Sequence, residues 1–304
     1  MSTLSGRWKL GILLALLTIL MWAVLPIALK GILVTLDPVT TSFFRFFLSA
    51  LLITPYLLAR NRLPNAHKAR KPKFALWLIA AGLLLSANYG FYIFGLDKTS
   101  VEAAQVIIQL APMLLLLAGL WIFREPFSRI QWLGFLVFVS GLLVFFHHRL
   151  GDLFVSFNDY GMGMLLVVGA AISWAGYAIM QKFLLQEFSS EESMMAIYWI
   201  GTLSFLPFCD FSTIDQLSNL QWGLLAFCGL NTLVAYGAFA EAMVHLEASR
   251  VSAIIALGPL VTVTIVQLVP IAGVSPEPIG IISLVGAAML VTGSITTAIA
   301  KKVS

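Results

Sequence analysis

WAVLPIALK at residues 22–30 returns as WAGYAIMQK at residues 174–182, so that Trp22 and Lys30 reappear as Trp174 and Lys182, 152 positions later. The same displacement carries Glu125-Pro126 onto Glu277-Pro278, and Gly134 with Gly141 onto Gly286 with Gly293. Tryptophan, lysine and a Glu-Pro pair are uncommon inside apolar sequence, so chance alignment of two Leu/Ala/Gly-rich stretches does not account for the match. Tyr89 and Pro112 fall on Tyr236 and Pro259 at a displacement of 147. The second copy therefore lacks about five residues ahead of these landmarks and regains them afterwards, and such gaps belong in loops.

The chain is 60% hydrophobic and 11% charged, with a mean hydropathy of +0.96. These shares lie far from those of soluble domains and indicate an all-α integral membrane protein. A helical span takes ~20 mostly apolar residues, and a chain of this length with short connections has room for about ten. Ten transmembrane helices are read near 10–30, 39–59, 74–96, 101–122, 130–147, 161–183, 192–209, 221–242, 250–271 and 279–299. The chain then divides into a first five-helix repeat, residues 1–149, and a second, residues 160–302. Arg7 and Lys9 precede the first apolar run, but no small-x-small cleavage site follows it, so that run is expected to stay as a helix. Cys209 and Cys228 have no metal-ligand spacing, and no disulfide, metal or cofactor is expected.

Counted against these spans, fourteen of the 18 Lys and Arg residues fall on one side of the membrane, most densely in the loop from Arg60 to Lys73. Lys30, Lys98 and Arg149 fall on the other, and Arg45 lies within a span. The positive-inside rule then predicts that both termini are cytoplasmic. Each repeat has an odd number of spans, so the second copy enters the membrane from the opposite face and the two repeats are inverted. The basic excess is thereby explained by topology, with no nucleic-acid partner implied. The segment His147–Tyr160 reads as a solvated hinge between halves; its His147, His148, Asp152 and Asp159 are too irregularly spaced for a metal cluster. Gly134 with Gly141, and Gly286 with Gly293, are spaced to let helix backbones approach.

Arg45 is the clearest charge within a span. It lies about six residues in, and helical side chains tilt toward the N-terminus, so one expectation is that it snorkels to the interface and the other is that it serves a cavity. Glu102, Gln105 and Gln109 stack on one face of the fourth span, reading either as a cavity-lining stripe or as amides bonding to neighbouring helices. Pro112 and Pro259 are expected to break the fourth and ninth spans by removing a backbone donor. Trp22, Trp174, Tyr177, Asn88, Tyr89, Tyr92, Asn231 and Tyr236 lie at mid-depth, away from the interface that aromatic residues usually prefer. Together with Arg45, Gln105 and Gln109 they are the candidates for a shared cavity suited to a small amphipathic solute. Glu102 and Glu241 are the candidates for carrying protons, because desolvation lets a carboxyl take up a proton near neutrality. Positions matched across the repeat serve the scaffold or the central cavity; the unmatched Arg45, Glu102, Gln105, Gln109 and Asn231 break the symmetry, and solute choice is expected to depend on them.

The order of landmarks, with Arg45 in an RFFLSALL stretch, LDKTSVEAAQVIIQLAP (96–112), REPFSRIQWLGFLVFVSG (124–141), VSAIIALGP (251–259) and PEPIGIISLVGAAMLVTG (276–293), resembles the EamA-type drug/metabolite transporters along essentially the whole chain. The resemblance implies ten helices, a bacterial inner-membrane location, and export of metabolites or amino acids in exchange for protons. An inverted repeat of this length independently suits a secondary transporter that rocks one bundle against the other around a central site. A polytopic enzyme would need a nucleophile, base or metal motif, and no HExxH, GxSxG, CxxC or nucleotide-binding glycine loop is present, so no catalytic residue is assigned. A passive channel or sensor is the third class; rings of charge, expected of a channel, are absent. No segment binds ATP, and no nucleotide-hydrolysing partner is implied.

Overall fold

The structure, a computed structural model, describes residues 5–63, 71–99, 104–105, 107–145, 147, 159–268 and 280–299. Among these are eleven α-helices: α1 (Trp8–Leu33), α2 (Pro38–Ala59), α3 (Pro72–Lys98), α4 (Leu110–Trp121), α5 (Arg129–Phe145), α6 (Asp159–Leu184), α7 (Ser190–Phe205), α8 (Asn219–His245), α9 (Ala248–Ile255), α10 (Gly258–Leu268) and α11 (Ile281–Ile299). Six of them, α1, α2, α3, α6, α8 and α11, are long and apolar enough to cross a membrane. Residues 148–158, most of the hinge segment, and 269–279, with the end of the ninth span, lie outside the described residues.

Helix starts follow local chemistry. The Asp37 carboxylate accepts the backbone N–H groups of Val39 and Thr40, at 2.8 and 2.9 Å, ahead of Pro38 in the first turn of α2. Ser189 with Glu192 and Ser218 with Gln221 form reciprocal capping boxes at α7 and α8. The fourth and ninth spans are interrupted where the prolines predict. The chain turns at Ile108–Gln109 and α4 starts at Leu110, with Pro112 in its first turn; α9 ends at Ile255 and α10 starts at Gly258, just ahead of Pro259. A proline in the first turn loses only a donor that the helix end leaves unpaired anyway.

Packing runs between the two halves of the chain: α1 against α8, α3 against α6, α2 against α7, α4 against α9 and α5 against α11. The four glycines sit at the α5·α11 crossing. A Cβ on Gly286 would stand 2.4 Å from the Phe145 backbone nitrogen and one on Gly293 2.4 Å from that of Phe138, while Gly141 and Gly134 face Leu290 and Thr297. Only a missing side chain permits this approach. The polarity of the bundle is inverted relative to a soluble protein. Leu13, Leu76, Leu133, Leu203 and Ile281 are exposed, whereas Arg45, Asn88, Gln105, Gln131, Gln181, Lys182 and Asn231 are buried. This is the arrangement that an apolar solvent selects.

Candidate functional site: a central cavity at the meeting of the two halves

Where α1, α3, α6 and α8 meet the broken ends of α4 and α9–α10, the side chains leave a cavity of about 110 Å³. Its aromatic wall comes from four helices. Trp22 of α1 packs edge-on against Trp174 of α6, with ring centroids 5.7 Å apart, and against Tyr236 of α8 at 5.1 Å. Tyr236 in turn lies 5.7 Å from Tyr89 of α3. Such offset and edge contacts fix ring orientation as well as bury area. Tyr92, Pro26, Ile19 and Leu25 complete this side, and Ile108, Ala111, Ile255, Gly258 and Thr262 close the other at the helix breaks.

The polar wall consists of Arg45, Asn88, Gln105 and Gln109. Arg45 does not snorkel. It is 2% exposed, because its side chain turns into the bundle between α3 and α8 rather than along α2 to the interface. Its guanidinium carbon lies 4.0 Å from the Tyr89 ring centroid, and Nε donates to Thr232 Oγ1 at 3.3 Å. Thr232 accepts a second bond from Tyr89 Oη at 3.1 Å and donates its own proton to the Cys228 carbonyl at 2.9 Å, so the hydroxyl is fully used. Asn88 Nδ2 donates to the Ala170 carbonyl at 3.0 Å, which ties α3 to α6 and leaves Oδ1 facing Tyr236 Oη at 3.5 Å. Gln105 and Gln109 both face the cavity, and they are joined by a long bond of 3.4 Å from Gln109 Nε2 to the Gln105 carbonyl. Gln109 Oε1 is buried and has no partner among the described residues.

Trp22, Arg45, Asn88, Tyr89, Tyr92, Gln105, Gln109, Trp174 and Tyr236 are thus brought together; Tyr177 and Asn231 are not on the wall. Tyr177 stands behind it, against Trp174 and Tyr236, with its hydroxyl directed to Met194 Sδ at 3.2 Å. Asn231 Nδ2 donates to the Met21 carbonyl and fastens α8 to α1. Glu102 lies outside the described residues. Glu241 is away from the cavity, near the end of α8, where it accepts from Ser190 Oγ and faces His245 Nε2 at 3.2 Å. Thr232 carried no signal in the sequence, since a threonine beside Asn231 in a helix most often bonds only its own backbone.

Lys182 was counted only as a topological charge. Instead it is 4% exposed, and Nζ donates to the Met243 and Leu246 carbonyls at 2.8 and 3.2 Å, closing the C-terminal end of α8. Beside it, Glu125 reaches across to α9 and accepts Ala248 N–H on Oε1 at 2.8 Å and Ser249 N–H on Oε2 at 2.9 Å. A positive φ of 53° at Arg124 turns the chain to aim Glu125 there. The pair α4·α9 runs antiparallel from the cavity, at Pro112 and Ser252, to this capped end.

The EamA-like transporter family matches twice, over residues 9–147 and 161–299. The chain belongs to that family. Among its relatives is a protein of Escherichia coli (strain K12) named as an uncharacterized inner membrane transporter, YhbE, 36% identical over 97% of this chain and 92% of its own. An uncharacterized transporter of Haemophilus influenzae is 33% identical over 96% of each chain, and a probable amino-acid metabolite efflux pump of Salmonella typhimurium is 25% identical over 82% of this chain and 83% of its own. A solved crystal structure shares the fold at 19% identity, with a TM-score of 0.70 over 94% of this chain and 95% of that one. This EamA-like chain is a membrane protein of a transporter family.

Proposed function

We propose that the chain is a secondary transporter of a bacterial inner membrane that exports small metabolites or amino acids by alternating access. In this reading ten spans form two inverted five-helix repeats, residues 1–149 and 160–302, with both termini cytoplasmic. The spans are α1 to α5 in the first repeat, and α6, α7, α8, the broken pair α9–α10, and α11 in the second.

The observation that carries the proposal is that one cavity is lined by residues equivalent in the two halves. Trp22 and Trp174 stand at the displacement of 152, and Tyr89 with Tyr236, Ile108 with Ile255, and Ala111 with Gly258 at 147. The packing supports it as well. Exchanging α1 for α6, α2 for α7, α3 for α8, α4 for α9 and α5 for α11 turns the α1·α8 contact into α6·α3 and returns each of the other three pairs to itself. A bundle with this symmetry can close at either end with similar energy, which alternating access requires. In this reading the end capped by Glu125 and Lys182 acts as the closed gate. Coupling to protons belongs to the same proposal. Glu102 is one carrier, and Glu241, facing His245, is the other.

Reconstitution in liposomes with an imposed pH gradient, and a panel of labelled amino acids and metabolites, tests the whole. Uptake against a concentration gradient that collapses with the pH gradient is the expected result. Equilibration indifferent to pH would remove the coupling, and no flux of any solute would remove transport.

A further inference from the structure

The Arg45 guanidinium carries five N–H donors and stays charged at any physiological pH. Its face is covered by Tyr89, and Nε is taken by Thr232. The two terminal nitrogens, with four N–H groups between them, have no acceptor and no acidic partner among the described residues, and the residue borders the cavity. A buried cation without a counter-ion is expensive inside a membrane, and stacking on a tyrosine ring returns only ~2 kcal/mol of that cost. The cavity wall described here holds no aspartate or glutamate. Among the described residues no carboxylate answers this charge, and the open side of the guanidinium is the cavity.

We infer that Arg45 is the anchor for a carboxylate on the transported solute, and that the substrate class is small monocarboxylates with an apolar or aromatic body. The engaged Nε excludes the side-on approach, so the carboxylate docks end-on across the two terminal nitrogens, one oxygen to each. The body of the solute then rests on Trp22, Trp174 and Tyr236. Gln109 Oε1, buried without a partner, accepts one N–H or O–H from the solute, so α-amino and α-hydroxy acids fit as well as simple acids. The unmatched position of Arg45 in the repeat suits this role. Its counterpart at a displacement of 152 is Ile197, so only one half can hold the carboxylate, and one molecule binds at a time.

The inference rests on the transporter reading, and the experiment separates the two. Binding to purified full-length protein in detergent, followed by counterflow in liposomes, is measured for 3-phenylpropanoate, L-phenylalanine, the neutral isostere 3-phenylpropanamide and the cation 2-phenylethylamine. In the wild type, both carboxylates bind at least tenfold more tightly than the amide and the amine. Arg45→Gln brings 3-phenylpropanoate down to the level of the amide and leaves the amide unchanged; Arg45→Lys, which keeps the charge and loses the fork, falls between. The carboxylate-to-amide ratio within one variant is the readout, because a general loss of packing would weaken both ligands alike. Should Arg45→Gln fail to fold, the wild-type ratio and Arg45→Lys still decide. A wild type that carries the amide or amine as well as the acids, or a ratio unmoved by Arg45→Gln, overturns the inference and leaves transport standing. No flux of any solute overturns both.

Discussion

Glu125→Gln separates a latch from mere packing. Each Glu125 oxygen accepts one backbone N–H from the first turn of α9, at 2.8 and 2.9 Å, and Gly119 leaves room for the carboxylate at the end of α4. Glutamine keeps one acceptor, turns an N–H₂ toward the remaining backbone donor, and removes a negative charge from a helix N-terminus. A hydrogen bond to a charged group contributes ~1.5–3 kcal/mol and the charge at the helix end ~0.3–1 kcal/mol. Water entering the loosened face offsets part of this, leaving about 2 kcal/mol. If the contact exists only while this end is closed, that loss shifts the balance toward opening about thirtyfold, at 1.4 kcal/mol per factor of ten. The assay is the rate at which a membrane-impermeant maleimide, added on the Glu125 side, labels Ile255→Cys on the cavity wall, with Cys209 and Cys228 both replaced by alanine. Labelling is expected to rise by an order of magnitude or more. A rate within twofold of the parent, in protein that melts as a single species, would mean that the contact survives in both states and that the capped end is no gate.

Gly286→Ala places a methyl 2.4 Å from the Phe145 backbone nitrogen, so it should lower stability by ~1–3 kcal/mol, read as a drop in melting temperature in detergent. Gly237→Ala, with nothing within 4 Å of the new methyl, should instead raise stability by ~0.5–1 kcal/mol. Gln109→Leu removes a buried oxygen that has no partner among the described residues and only a long 3.4 Å bond to the Gln105 carbonyl, so folded yield and melting temperature should hold while transport weakens; unchanged transport kinetics would take Gln109 out of the site. Lys182→Met strips the last turn of α8 of a donor to two carbonyls and should cost about 2 kcal/mol of stability, seen as earlier thermal unfolding.

Much of this architecture is visible in the sequence because its signals are local or periodic. Apolar run length marks spans, and a proline breaks a helix wherever its neighbours lie. Rare residue types inside apolar sequence make the echo of Trp22 in Trp174 visible without any knowledge of packing. Mid-depth aromatics converge for the same reason: a ring away from the interface must face protein. Arg45 and Lys182 are only half legible in the sequence because their partners are remote. Snorkelling follows if α2 is taken alone, but Tyr89 and Thr232, from α3 and α8, give the guanidinium a ring and an acceptor inside the bundle. Lys182 reads in the sequence as a charge near one face, yet its bonds are to carbonyls 61 and 64 positions away. Asn231 errs the other way, since a polar residue at cavity depth can equally bind a neighbouring backbone, as it does at Met21. Depth in the membrane can be read from one helix, but the direction in which a side chain points depends on its neighbours. The residues that break the repeat's symmetry have no counterpart against which to check their direction, so solute selectivity is the property the sequence leaves least determined.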